Sequence, residues 1–152
     1  MAKRNSNKVK FTVVFVLIAM LMVGLCATIV TLDKQIETET VSVWAFSNGA
    51  LDAEGEYDES DASIYTKDLL TVNGLEIEVE EDAEVTYEVF FYNEDKEFIS
   101  SSGELSDNYV YANDVEGAEY CRVVITPTDD EEIGLFEKNG YARQLTIKVD
   151  RE

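Results

Sequence analysis

The chain has 152 residues, with 12 Lys+Arg against 32 Asp+Glu, no His, two Cys and one Pro. That length accommodates one ordinary domain plus an appendage, and the lack of His removes Ser-His-Asp and Cys-His catalysis, His-ligated zinc and an imidazole pH switch. A net charge of −20 opposes phosphate binding and argues against a nucleic-acid role, and two cysteines cannot build a disulfide framework.

Charge is divided along the chain. Residues 1–10 form a basic tail carrying Lys3, Arg4, Lys8 and Lys10, and no acidic residue precedes Asp33. Residues 33–152 hold eight basic against 32 acidic residues, a net of −24. Between these zones, residues 11–32 (FTVVFVLIAMLMVGLCATIVTL) are uncharged. As a helix rising ~1.5 Å per residue, this 22-residue segment reaches about 33 Å, enough to cross a hydrocarbon core of about 30 Å. Lipid offers unpaired backbone groups no partners, so the segment is predicted to be a transmembrane helix. The cations before it place the amino terminus in the cytoplasm and the acidic body outside. A cleaved signal peptide is the rival reading. Its apolar stretch is usually shorter, about 7–15 residues, and Gly24-Leu25-Cys26 is the one tolerable match to a cleavage site. The expectation is a retained signal anchor, with Cys26 facing lipid or a neighbouring helix.

Residues 33–40 (DKQIETET) read as a polar stalk and 41–152 as the extracytoplasmic domain. Val41, Val43 and Ala45 alternate with Ser42, Trp44 and Phe46, which predicts a strand covered on both faces. Ser47-Asn48-Gly49 breaks it, and residues 52–61 (DAEGEYDESD) form an acidic loop. Leu75, Ile77 and Val79 alternate with Glu76, Glu78 and Glu80, giving one buried and one wetted face. After a turn at Glu81-Asp82, Ala83, Val85, Tyr87, Val89 and Phe91 continue an inward face. Asn93-Glu94-Asp95 turns into a short strand at 96–101. In residues 119–126, Cys121, Val123 and Ile125 share a face, and Pro127 with the acidic run 129–132 ends that strand. Asn139-Gly140 is a turn signal before the strand at 143–149. Short strands at this spacing, with no three-turn amphipathic helix, predict an all-β, antiparallel β-sandwich preceded by the one membrane helix.

The order of these features is familiar. In WAFSNGALDAEGEYDESDASIYTKDLLTV, an aromatic strand leads to a G-x-x-x-x-S spacing and an I-x-T strand, with Gly55, Ser60, Ile64 and Thr66 at those places. FFYNEDKEFISSS supplies an aromatic strand, a short turn and a returning strand, and AEYCRVVI places an aromatic residue, a spacer and Arg122 before apolar residues. Across about residues 43–149 the chain resembles small jelly-roll modules of surface proteins from Gram-positive bacteria and their phages. The resemblance implies a jelly-roll sandwich at a cell surface, of a type often similar to carbohydrate-binding domains. Fold-level likeness does not transfer a binding site.

Several residues stand out as candidates, each beside a structural reading. Trp44, the single Trp, suits stacking on a sugar ring, although its strand pattern predicts a core position. Tyr57, Tyr109 and Tyr111 lie in or beside polar loops, where they would be accessible to a ligand or would plug the sandwich edge. Asp52, Glu54, Glu56, Asp58, Glu59 and Asp61 offer hard oxygen ligands for calcium, with 129–132 as a second set, or simply a solvated acidic surface. Arg122 is expected to pair across strands with a glutamate, and Cys121 to be a buried small hydrophobe. No nucleophile elbow, phosphate loop or zinc signature is present, so no catalytic residue and no required cofactor is assigned. The functional expectation is a non-catalytic, membrane-anchored binding module for a neutral glycan or an envelope protein. The alternative is an accessory subunit of a larger envelope complex without a small ligand.

Overall fold

The computed structural model describes residues 37–129, 132–134 and 137–151, and these are predominantly antiparallel β-structure, as the period-two alternation predicts. The predicted membrane segment at 11–32 lies outside the described residues, and among the described residues no helix is long and apolar enough to cross a membrane. The strands are β1 (Thr38–Thr40), β2 (Phe46–Asn48), β3 (Ala50–Leu51), β4 (Tyr57–Asp58), β5 (Ile64–Thr66), β6 (Leu70–Thr71), β7 (Glu76–Val79), β8 (Val85–Tyr92), β9 (Phe98–Leu105), β10 (Tyr109–Val110), β11 (Tyr120–Pro127) and β12 (Leu145–Asp150). One sheet has the order β1-β12-β7-β10 and another the order β2-β5-β11-β8-β9, with β6 also paired to β11. A separate two-stranded ribbon joins β3 and β4.

The predicted alternation sets which side chains meet. In the β8–β11 ladder, Tyr87 lies opposite Ile125, Val89 opposite Val123 and Phe91 opposite Cys121. All six are buried, and they share one core with Ile77, Leu145, Ile147 and Val149 from the other sheet. Burying each such aliphatic side chain contributes about 1.5–3 kcal/mol relative to leaving it in water. Thr66 explains how one strand is flanked by two short ones. β5 pairs with β11 at Tyr65–Val124 and Ile64–Ile125, while β6 takes over at Leu70–Cys121. In the gap, the Val123 N–H donates to the fully buried Thr66 Oγ1 at 3.1 Å, so this amide is paired where the two short strands leave it.

Four local expectations are corrected. Residues 41–46 are not one strand. Val43–Ala45 form a 3-10 turn in which the Ser42 Oγ accepts from the Trp44 N–H at 3.3 Å, and the strand begins only at Phe46. A Ser side chain here offers the backbone a local partner that a ladder cannot match. The returning strand β9 starts at Phe98 and runs to Leu105, later and longer than the 96–101 predicted. Asn139-Gly140 is helical, within α1 (Lys138–Arg143), where Tyr141 N–H bonds the Glu137 carbonyl at 3.2 Å and Ala142 packs into the core. Tertiary burial of Ala142 prevails over the turn preference of Asn-Gly. Finally, the stretch read as a stalk is partly strand: Thr38–Thr40 pair with Asp150, Val149 and Lys148 as an edge of the four-stranded sheet.

Candidate functional site

Where the β1–β12 side of one sheet meets the β6–β11 side of the other, an open cleft of about 350 Å³ reaches toward the core. Glu39, Val41, Ser42 and Ala45 form one wall, residues 68–71 the other, with Tyr120 and Val149 between them. Apolar side chains dominate this lining, and its charged members are Glu39 and Asp68, both carboxylates. Glu39 lies directly opposite Val149 in the β1–β12 ladder, which fixes its side chain on the same face as Val149. Trp44 belongs to the 3-10 turn whose neighbouring residues Ser42 and Ala45 line the cleft, and its side chain is 70 % exposed. The core position expected for Trp44 is therefore overturned. The turn directs Val43 against the core and leaves the indole in water.

A second apolar layer covers the outer face of the six-stranded sheet. Leu51, Phe90, Tyr92 and Val124 are buried there, with Tyr65, Leu69, Phe98 and Tyr120 packed against them. The β3–β4 ribbon forms its roof. The Tyr92 hydroxyl donates to the Gly55 carbonyl at 2.7 Å, and burial raises the phenol pKa, with Arg122 opposing and Glu56 and Asp52 reinforcing the shift. Arg122 makes no ion pair with a glutamate among the described residues. Its guanidinium carbon is 6.0 Å from the ring centres of both Tyr65 and Tyr92, and Nη2 donates to the Lys67 carbonyl at 3.2 Å. Its cross-strand partner is Phe90, so the neighbouring strand presents an aromatic ring in place of the expected carboxylate.

The predicted tyrosines are split between these regions and a third. Tyr57, 56 % exposed, stands on the ribbon with its ring 5.7 Å from that of Tyr65. Tyr109 and Tyr111 lie at the β10 edge of the other sheet, partly buried against the core, with Tyr111 stacked at 5.6 Å on Phe91. The Tyr111 hydroxyl donates to the Val115 carbonyl at 3.0 Å. Burial, followed by the carboxylate of Asp114, pushes the Tyr109 phenol up to about 12. Tyr109 and Tyr111 thus behave as edge plugs, the structural alternative, while Trp44 and Tyr57 remain accessible.

The acidic loop is organised by its own backbone. Asp52 Oδ1 accepts from the Glu54 N–H at 3.0 Å and the Glu56 N–H at 2.9 Å, which commits the first expected calcium ligand to shaping the turn. Glu54, Glu56, Asp58, Glu59 and Asp61 are exposed, and among the described residues no three His, Cys, Asp or Glu side chains converge to hold a metal ion. Of the second acidic set, residues 130 and 131 lie outside the described residues. Cys121 is fully buried and its thiol is pushed up to about 12 by burial, which makes it a poor nucleophile.

The cleft residues carry no contiguous sequence motif, because they come from four separated segments. The segment Lys67-Asp68-Leu69-Leu70 that forms one wall packs Leu69 against the outer apolar layer and Leu70 against the main core, each only half-buried. No family model, curated protein or solved structure matches this chain.

Proposed function

We propose that the chain is a single-pass, membrane-anchored protein whose acidic outer domain is a non-catalytic binding module of jelly-roll type, engaging a neutral glycan or an envelope protein around Trp44. The strand order supports the fold part of this reading. With the short strands β2, β3, β4 and β6 set aside, β1, β5, β7, β8, β9, β10, β11 and β12 in chain order fall into sheets of first-eighth-third-sixth and second-seventh-fourth-fifth strands. This order agrees with the winding expected of an eight-stranded jelly roll built from two Greek keys, and so supports the reading. The charge asymmetry and the apolar 11–32 segment support the anchor.

The observation that carries the binding role is the exposed indole of Trp44, on the turn whose Ser42 and Ala45 line an open, largely apolar cleft. A large apolar ring is costly to leave in water, and one that sits beside a concavity suits a partner that covers it. Glycan arrays and envelope-protein capture with the full-length protein in mild detergent test this. Trp44→Ala is expected to weaken the interaction about 30-fold, the ~2 kcal/mol of a Trp hot spot. A folded Trp44→Ala protein that keeps full affinity, or the lack of any glycan or envelope ligand, overturns the proposal. Stoichiometric co-purification of one protein partner with no glycan binding assigns the accessory-subunit role.

A further inference from the structure

We infer that the cleft between β1 and β6 recognises a protein segment in which a lysine or arginine is flanked by apolar residues. This deepens the reading above, on which it rests, by naming the chemistry of the partner.

Three observations converge. First, the lining pairs an apolar floor, including Val41, Ala45, Leu70 and Val149, with Glu39 and Asp68 and, among the described residues, contains no Lys or Arg. An occupant that satisfies both parts must be apolar along its body and cationic at one point. The surrounding domain, net −24 over residues 33–152, disfavours anions and attracts cations over about a Debye length, ~8–10 Å in physiological salt. Second, one wall already draws a cation. Arg151 reaches Glu39 at 3.7 Å and Glu37 at 3.5 Å, with its side chain 64 % exposed. Such an exposed pair exchanges readily for an incoming charge. Asp68 makes no hydrogen bond or ion pair among the described residues.

Third, among the described residues the strand beside the cleft, β1, has no partner on its outer side. Arg151 N–H donates to the Glu37 carbonyl at 2.8 Å and Val41 N–H to the Ile147 carbonyl at 2.8 Å. With Glu39 opposite Val149, the bonded pairs of this antiparallel ladder are those of Glu37, Glu39 and Val41. The Asp150 N–H, opposite Thr38, donates instead to the Asn73 carbonyl at 2.8 Å, as this register requires. The backbone groups of Thr38 and Thr40 therefore face outward along the edge of the sheet. An extended peptide has the complementary N–H and C=O groups to use them, and a sugar does not repeat them at strand spacing.

The test is calorimetric titration of the full-length protein, in mild detergent at low salt, with an acetylated and amidated VLKLV pentapeptide. Its acetyl-lysine form and uncharged oligosaccharides serve as the comparison ligands. VLKLV is expected to bind, and acetylation of its lysine to weaken binding about fivefold. Asp68→Asn should cost about two- to fivefold and Asp68→Asn with Glu39→Gln about tenfold, in the range of exposed charge pairs acting together. Both positions are exposed, so neither change threatens the fold. Equal affinity for the lysine and acetyl-lysine peptides, or no loss in the double variant, overturns the inference. If either result accompanies Trp44-dependent glycan binding, the binding-module reading survives while the cationic partner does not. If VLKLV binds with the expected charge dependence but Trp44→Ala changes no interaction with envelope proteins, the role of Trp44 fails and the cleft chemistry stands.

Discussion

The two faces of the six-stranded sheet are built on the same strands by different means. The inner face is aliphatic and β-branched at its centre, with Ile64, Val89, Val123 and Ile125 fully buried against Ile77 and Ile147 of the opposing sheet. The outer face is aromatic, with Phe90, Tyr92, Tyr65 and Phe98 around Arg122, and its cover is a short ribbon and an acidic loop. One face is closed by a second sheet. The other is closed by about ten residues held through a few specific contacts. The inner face should therefore set global stability, and the outer face should set how tightly a local flap is fastened.

Matched truncations give the sharpest test. Ile125 and Val124 are adjacent on β11 and point to opposite faces, Ile125 with no exposure and Val124 with 7 %. Ile125→Ala removes buried carbons where two sheets cannot collapse into the void, with an expected loss of about 3–4 kcal/mol. Val124→Ala removes fewer carbons under a thin roof that can settle, and about 1–2 kcal/mol is expected. Urea denaturation of both variants measures the difference. Equal losses would remove the distinction between the faces.

Alkaline pH should attack the inner face next. Tyr87 is 1 % exposed, and its hydroxyl donates to the Asp107 carbonyl at 2.6 Å. Burial, with smaller contributions from Tyr109 and Asp107, pushes its phenol up to about 12 from 10.0. The unfolded chain loses this proton near pH 10 while the folded protein keeps it, so the unfolded state binds fewer protons between these values. The contribution of Tyr87 is thus intact below pH 10 and falls as pH rises from 10 to 12, by about 1.4 kcal/mol per pH unit, or roughly 2–3 kcal/mol in all. Cys121, raised from 9.0 to about 12, adds a decline of the same sign from pH 9 upward. In Tyr87→Phe the slope of stability against pH between 10 and 12 should be shallower by one proton. An unchanged slope would show that Tyr87 does not titrate with unfolding.

The inner face was legible in the sequence because it obeys a local rule. Alternation at 83–91 and 121–125 marks most of its members, and that at 75–79 the opposing residues of the other sheet, since period two is a property of the strand itself. The outer face breaks that rule: Phe90, Tyr92 and Val124 are buried by a ribbon more than 30 residues earlier in the chain, which no window around β8 reveals. Gly55 and Thr66 were picked out by resemblance and turn out to do structural work. Gly55 has a φ of +74°, and a Cβ there would meet the Phe98 ring at 2.7 Å. The cleft was illegible for the same reason as the outer face, because its walls come from four separated segments. Apolar residues on both faces of 41–46 predict a strand that buries Trp44, where Ser42 instead caps a turn.

The smallest effect probes the fastening of the roof. Tyr92 joins sheet and ribbon by one hydrogen bond to the Gly55 carbonyl, beneath a T-shaped contact of its ring with Phe98 at 6.0 Å. Tyr92→Phe keeps the ring and its packing and removes the donor, leaving a carbonyl unpaired beneath the loop. The net contribution of such a bond is about 0.5–1.5 kcal/mol. If the ribbon is a local flap, global unfolding of Tyr92→Phe should shift by about 1 kcal/mol or less. Hydrogen exchange at the Asp52 and Gly55 amides, which bond the Glu56 and Asp52 carbonyls, should accelerate several-fold more than at Val123 or Ile125. Acceleration of equal size at all four positions would mean that the roof opens only when the whole sandwich does, and the outer layer would then belong to the same cooperative unit as the inner core.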